Sequence, residues 1–189
     1  MKLIFDIGGN EGNNIAYYLH KADCVVVVEA NPNLCEKIKK KFYSEIKEKR
    51  VFVENGAISE SDEEFLDFYI CKASDHVSTI LKPSNLNDYE IIRVKSLNIK
   101  YLLEKYGYPE YIKVDIENTD KIVIEQLIRT NFRPRYISVE SHRLEIFCLL
   151  SEKLGYKSFN LVDGWEVGRS IYQKIKIFSK NKKEYINYS

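Results

Sequence analysis

The run Val25–Val28 most constrains what this 189-residue chain can fold into. Four consecutive β-branched residues favour a strand over a helix. A strand that is apolar at every position is buried on both faces, as in parallel sheets covered by helices on either side. We therefore predict that Cys24–Glu29 is a central strand of a parallel sheet.

Short apolar runs alternate with helical patterns along the rest of the chain, as βαβ units require. The other predicted parallel strands are Lys2–Ile7, Val51–Asn55, Tyr111–Asp115 and Tyr136–Glu140. Two further strands are predicted at Glu64–Ile70 and Ile91–Lys95, and Tyr156–Val162 is expected to pair antiparallel with Gln173–Phe178. These elements predict a single α/β, Rossmann-like domain over residues 1–189, with a mostly parallel, doubly wound sheet and a closing antiparallel pair.

Helix starts and one long loop complete this prediction. Asn31, Ser96 and Asn118 have the short polar side chains that cap helices. Residues 71–90 are polar, contain Pro83 and lack a periodic pattern. Because loops of this length in compact domains are usually functional, we predict a lid or substrate loop there.

Charge and composition exclude several classes of partner. The chain has 29 Lys+Arg and 28 Asp+Glu, so no overall positive field favours nucleic acid. No apolar stretch approaches the roughly 20 residues needed to span a membrane, and the N-terminus lacks a signal-peptide pattern. The four cysteines lack C-x-x-C spacing, which argues against a zinc site. We expect a cytoplasmic protein, and the sequence carries no signal about its oligomeric state.

The first predicted strand ends in D-I-G-G-N-E-G, from Asp6 to Gly12. Gly8 and Gly12 allow a tight turn that approaches a ligand closely, but the G-x-G-x-x-G spacing of dinucleotide-binding proteins is absent. Carboxylates at Asp6 and Glu11 would repel a pyrophosphate and attract a cationic ligand. The second strand ends in Glu29, where a carboxylate can accept ribose hydroxyls. These features indicate S-adenosylmethionine, which carries an ammonium and a sulfonium.

Six motifs occur in an order that resembles the FkbM family of methyltransferases. They are D-I-G-G-N-E-G from Asp6, V-E-A-N-P from Val28, N-G-A-I-S-E from Asn55, S-T-I from Ser78, Y-I-K-V-D-I-E from Tyr111 and Y-I-S-V-E-S-H from Tyr136. The resemblance covers roughly residues 2 to 155. It implies a class I methyltransferase domain, S-adenosylmethionine as methyl donor, and O-methylation, often of sugar hydroxyls.

The resemblance also implies which residues bind the cofactor. The methionine part is assigned to Asp6, Gly8 and Glu11, the ribose to Glu29, and the adenine border to Gly56 and Ala57. The neighbouring residues Asn10, Gly12, Ala30 and Asn31 are also expected to bind the cofactor. Ser78 and Asp115 are assigned further polar contacts. Asn118 stands where the family usually has Gly, a difference that bears on the path of this loop.

The acceptor hydroxyl must lose a proton during methyl transfer, so a base is expected beside it. Asp115 and Glu117 follow one predicted strand, while Glu140 and His142 follow the next, which places them at one cleft. We predict that His142 is the base, with Asp115, Glu117 and Glu140 orienting it or the acceptor. The same groups suit a divalent metal, which we do not favour.

Two alternatives to a sugar or small-molecule acceptor stay open. One is a methyltransferase of nucleic acid or protein, which the near-zero net charge disfavours. The other is an inactive nucleotide-binding or scaffold protein. Asn118-Thr119 favours this second alternative, whereas the presence of Asp6, Glu29 and Asp115 argues against it.

Overall fold

A computed structural model describes residues 1–74, 78–140 and 144–162, together with the backbone of two strands at 174–179 and 182–187. The chain divides into two compact units, Met1–Phe147 and Cys148–Ser189. The prediction of one domain across residues 1–189 stays a prediction.

A parallel five-stranded sheet forms the centre of the first unit, in the order β3-β2-β1-β7-β8. Its strands are β1 (Leu3–Ile7), β2 (Cys24–Glu29), β3 (Val51–Asn55), β7 (Tyr111–Val114) and β8 (Tyr136–Val139). Every residue of β1 and β2 is buried, as the valine run predicted. The strand order reverses between β1 and β7, which makes the carboxyl ends of these strands the expected ligand position.

Helices alternate with these strands, which confirms the predicted α/β fold. They are α1 (Ile15–Leu19), α2 (Pro32–Lys41), α3 (Tyr43–Lys47), α4 (Ile99–Tyr106), α5 (Asp120–Arg129) and α6 (Leu144–Cys148), which continues into a π-helical turn at Leu149–Lys153. Ile15 of α1 and Ile38 of α2 pack with Val25 and Val27 in one core cluster. No helix in the described part of the chain has the length and apolarity needed to cross a membrane.

A second, three-stranded sheet lies outside the βαβ pattern, in the order β4-β6-β5. Here β5 (Phe65–Cys71) pairs antiparallel with β6 (Tyr89–Leu97), and β6 pairs parallel with β4 (Ala57–Ile58). Part of the predicted loop at 71–90 is ordered against this sheet. Thr79 bridges to Tyr69, and a 3-10 turn forms at Leu86–Asp88. The role of this segment as a lid stays a prediction.

Two of the three predicted helix caps need correction. Ser96 lies inside β6, and Asn98 caps α4 by accepting a hydrogen bond from the Tyr101 N–H. Asn118 does not cap α5, which begins at Asp120, because Asn118 has a left-handed backbone. By contrast, Asn31 caps α2 through the Asn33 N–H, as predicted.

Only one strand of the closing antiparallel pair was predicted correctly: Gln173–Phe178 corresponds to Lys174–Ser179, but its partner strand is different. Lys174–Ser179 (β9) pairs with Lys182–Asn187 (β10) in a separate two-stranded sheet. Tyr156–Val162 forms no strand. The sequence did not predict the second strand because Lys182–Asn187 is mostly polar. Two residues separate this strand from β9 in the sequence, a spacing typical of tight hairpins.

Gln126 provides a test of how the two sheets are joined. Its buried side chain accepts a hydrogen bond from the Ile99 N–H at 2.8 Å and donates to the Ser59 carbonyl at 2.7 Å. We expect Gln126→Leu to lower the free energy of unfolding by about 2 kcal/mol or more, since two buried backbone groups lose their partners. Chemical denaturation measures this change. The control Glu104→Leu, at an exposed position on α4, should change stability by less than about 0.5 kcal/mol.

Candidate functional site

A cavity of about 230 Å³ lies at the carboxyl ends of β1, β2 and β7. Its described lining includes many of the residues that the sequence singled out. The ends of β1, β2 and β3 contribute Gly8, Asn10, Glu29, Ala30, Asn31, Gly56 and Ala57. The segment after β5 contributes Ser78, and the loop after β7 contributes Asp115 and Glu117. Because parallel strands end at the same edge, motifs far apart in sequence meet here.

Some predicted site residues lie elsewhere. Among the described residues, Asp6, Glu11, Gly12 and Glu140 do not line the cavity. Asp6 is buried in β1, and the exposed Glu11 forms an ion pair with Lys37 at 3.0 Å. Their assigned contacts stay predictions. His142 lies outside the described residues.

The turn after β1 is held against the end of β2. The N–H groups of Gly8 and Gly9 both donate to the Val28 carbonyl, at 2.9 and 3.1 Å. Gly8 has φ +85°, and a Cβ there would lie 1.8 Å from the Asp115 carbonyl oxygen. Only glycine fits this position, so the backbone of the turn borders the cavity directly.

Glu29 combines a structural contact with a position in the cavity wall. One carboxylate oxygen accepts from the Asn10 N–H and the other from the Asn31 N–H, each at 2.8 Å. Burial raises the pKa of Glu29, and these backbone donors act in the opposite direction. Each carboxylate oxygen has a second lone pair, so Glu29 can fix the glycine turn and still accept a ligand hydroxyl.

Lys113 is a site residue that the sequence analysis missed. It lies beside Asp6 in the register of β1 and β7, and 15% of its side chain is exposed. Its Nζ lies 2.8 Å from the Gly8 carbonyl oxygen, 3.1 Å from the Asp115 Oδ2 and 3.5 Å from the Asp6 Oδ1. A charged residue inside each of two adjacent buried strands was the available signal, because such charges are normally paired.

The pKa values of Asp6 and Lys113 are both raised, but for different reasons. Burial raises the pKa of Asp6 to about 6, although the neighbouring ammonium lowers it. The pKa of Lys113 is also raised, because the attraction of Asp6 and Asp115 outweighs burial. Lys113 therefore stays charged at neutral pH, and Asp6 is the member of the pair that titrates.

The loop after β7 has an unusual backbone. Glu117 and Asn118 both have positive φ, at 48° and 68°. Asn tolerates this left-handed conformation, so Asn118 can stand where the family usually has Gly. Glu117 is less suited to it, and strain of this kind is concentrated at functional sites. The Glu117 carbonyl accepts a hydrogen bond from the Thr79 hydroxyl at 3.3 Å, which ties this loop to the segment after β5.

Three predicted carboxylates come together beyond the ends of β7 and β8. One oxygen from each of Asp115, Glu117 and Glu140 lies within 4.8 Å of the others. Such a cluster can orient an acceptor, share a proton or provide oxygen ligands for a divalent cation.

The other end of the cavity is apolar and was not identified from the sequence. Its wall contains Ile58, Phe68 and Ile80. These side chains come from β4, β5 and the segment after β5. Ile58 and Ile80 lie within the motifs N-G-A-I-S-E and S-T-I, whereas Phe68 lies in none of the six motifs and has the sequence pattern of an ordinary core residue.

Comparison with the sequence profiles of protein families identifies the family of this chain. The sequence profile of the methyltransferase FkbM domain matches residues 6–157. The chain belongs to the FkbM methyltransferase family. This match confirms the predicted family and shows that the protein is a methyltransferase. A comparison of the sequence with curated proteins gives no match.

A solved structure with a TM-score above 0.5 shows the same fold. The methyltransferase FkbM from Methylobacillus flagellatus KT is similar with a TM-score of 0.56 and 15% identity, over 84% of this chain and 39% of that chain. The C-terminal domain of precorrin-6Y C5,15-methyltransferase from Rhodobacter capsulatus gives a TM-score of 0.48 and 13% identity, over 98% and 74%. The Geobacter metallireducens GS-15 protein of the same name gives 0.48 and 12%, over 99% and 74%.

The raised pKa of Asp6 makes stability depend on pH. Between its ordinary value of 3.8 and about 6, the folded protein retains a proton that the unfolded chain releases. The free energy of unfolding should therefore fall as pH rises through this window, by at most about 1.4 kcal/mol per pH unit for one proton. Asp6→Asn removes this contribution, so its stability relative to the parent should increase from pH 4 to 7.

Urea denaturation of both proteins at several pH values measures this difference. The contribution of Glu29 is common to both proteins and cancels. Parallel pH profiles for parent and variant would show that Asp6 does not titrate in this range.

Proposed function

We propose that this FkbM-family methyltransferase transfers a methyl group from S-adenosylmethionine to a sugar hydroxyl of a glycan, glycolipid or related metabolite. The observation that carries the proposal is the Glu29 carboxylate, fixed at the cavity wall beside a turn that only glycine can form. A carboxylate in this position suits the two hydroxyls of a ribose.

The charges around the cavity fit a cationic ligand. Glu29, Asp115 and Glu117 contribute three carboxylates to the lining, against the one ammonium of Lys113. A pyrophosphate would be repelled by this excess of negative charge, whereas a ligand with an ammonium and a sulfonium would be attracted. Gly8, Asn10 and Glu29 would hold the methionine and ribose parts of the cofactor.

The apolar end of the cavity suits the adenine ring. Phe68, Ile80 and Ala57 provide apolar surface there, and Gly56 lies beside them in the wall. A ring that stacks on an aromatic side chain and displaces water gains free energy through both contacts. We therefore assign the adenine to this end, next to the ribose-binding Glu29.

When bound, S-adenosylmethionine supplies a methyl group already activated by its sulfonium. The protein has to hold the acceptor oxygen in line and receive its proton. We assign the proton to His142, with Asp115 and Glu140 orienting the acceptor. The negative charge of the carboxylate cluster also disfavours a polyanionic acceptor such as nucleic acid and favours a neutral sugar.

Cofactor binding provides the first test of this proposal. Glu29→Ala removes charge-assisted hydrogen bonds of about 1.5–3 kcal/mol each, so the affinity for S-adenosylhomocysteine should fall at least about ten-fold. Calorimetry on the folded variant measures it. Glu36→Ala, which removes an exposed carboxylate from α2, is the matched control and should bind like the parent. Unchanged affinity in a folded Glu29→Ala protein would exclude Glu29 from the site.

Methyl transfer to a panel of sugars, followed with labelled S-adenosylmethionine, tests the catalytic roles. His142→Gln should lower turnover by about 10²–10⁴-fold, since the acceptor proton loses its base. His20→Gln, which changes a histidine after α1, is the control. If a metal in the carboxylate cluster activates the acceptor instead, a chelator alone would abolish the activity of the parent. A His142→Gln protein with near-parental turnover would exclude His142 as the base.

A further inference from the structure

Lys113 occupies the centre of the site, between the glycine turn and the carboxylate cluster. It extends from β7 towards the end of β1, and its ammonium lies close to three acceptors. These are the Gly8 carbonyl at 2.8 Å, the Asp115 carboxylate at 3.1 Å and the Asp6 carboxylate at 3.5 Å. An ammonium has three N–H donors, and those of Lys113 lie within hydrogen-bond distance of the Gly8 carbonyl and Asp115, while the contact with Asp6 is an ion pair.

These contacts exclude Lys113 as the group that removes the acceptor proton. A lysine acts as a base only when it is neutral, which requires burial or a neighbouring cation. Burial lowers the pKa of Lys113, but the attraction of the two carboxylates beside it outweighs burial, so its pKa is raised. The ammonium is therefore a fixed positive charge.

The simplest role for such a charge would be to neutralise Asp6, a carboxylate that is only 1% exposed. The distances indicate more than this. Asp6 is the most distant of the three acceptors, whereas the Gly8 carbonyl and Asp115 lie within hydrogen-bond distance. Lys113 therefore lies closest to the groups that border the cavity.

These two groups belong to different halves of the site. Under the proposed function, on which this inference rests, the Gly8 turn holds the methyl donor and Asp115 faces the acceptor. We propose that Lys113 is a positioning residue that fixes the donor-binding turn and the acceptor-side carboxylate relative to each other. Methyl transfer depends on this separation, since a displacement of about 1 Å can lower a rate by about 10²-fold.

The test separates this role from simple charge neutralisation. Lys113→Met leaves Asp6 buried without its counter-ion and should be less stable than the parent. The double variant Asp6→Asn/Lys113→Met removes both charges, so it should recover stability against urea. If Lys113 positions the turn, the recovery will not extend to ligand binding. In the Asp6→Asn background, Lys113→Met should still weaken S-adenosylhomocysteine binding by about ten-fold or more.

Amide hydrogen exchange provides a readout that needs no ligand. The amides of Gly8 and Gly9 should exchange faster in the double variant than in Asp6→Asn alone, because the Gly8 carbonyl has lost its ammonium. Lys113→Arg keeps the charge and should restore part of the affinity. Lys121→Met, which removes an exposed ammonium paired with Glu145, is the control and should change neither measurement.

The outcomes distinguish this inference from the proposed function. If the double variant matches Asp6→Asn in both affinity and exchange, Lys113 only neutralises Asp6 and the inference is wrong. If the parent itself does not bind S-adenosylhomocysteine, the proposed function is wrong. In that case, faster exchange at Gly8 and Gly9 in the double variant would still support the positioning role, and equal exchange would overturn it.

Discussion

The bonds from Gly8 and Gly9 to the single carbonyl of Val28 determine where the turn after β1 runs. They hold that turn against the end of β2, and on the side of β7 Gly8 lies so close to Asp115 that a Cβ at Gly8 would overlap its carbonyl. Glu29, the next residue of β2, then lies within reach of the Asn10 N–H. The position of the turn after β1 and that of the Glu29 carboxylate at the cavity wall both follow from this close approach of β1 and β2.

Charge is arranged in layers at this edge of the sheet. Asp6 lies deepest and is almost fully buried, Lys113 lies between, and Asp115 is 43% exposed at the side chain. The alternation of sign allows a buried carboxylate to exist inside a parallel sheet, where an unpaired charge would be costly. It also leaves the described lining of the cavity with an excess of negative charge, because three carboxylates accompany the ammonium of Lys113 there. This excess is what distinguishes the site from a pyrophosphate site.

The sequence predicted the parallel strands well, because burial on both faces requires uninterrupted apolar runs such as Val25–Val28. It also predicted part of the cavity lining, because motifs at strand ends meet at one edge. It did not identify Lys113 or Phe68, although the charges within two adjacent buried strands were a signal for Lys113. The partners of Lys113 include a backbone carbonyl from a distant turn, and Phe68 has the pattern of any core residue. Both depend on tertiary contacts that local patterns do not record.

Helix starts illustrate the same limit on a smaller scale. Ser96 and Asn98 are both good capping residues, and only the extent of β6 decides between them. Strand pairing with β5 continues through Lys95, which leaves Asn98 as the first residue free to cap. Asn118 likewise has a capping side chain, but its backbone is left-handed and α5 begins after it.

The second sheet has a consequence for how such an enzyme can diversify. Phe68, Ser78, Thr79 and Ile80 all line the cavity, and all come from the one stretch between β4 and β6. None of them belongs to the five parallel strands. Side-chain changes in this stretch can therefore alter the shape of the cavity without altering the pairing of the five parallel strands that position the rest of its lining.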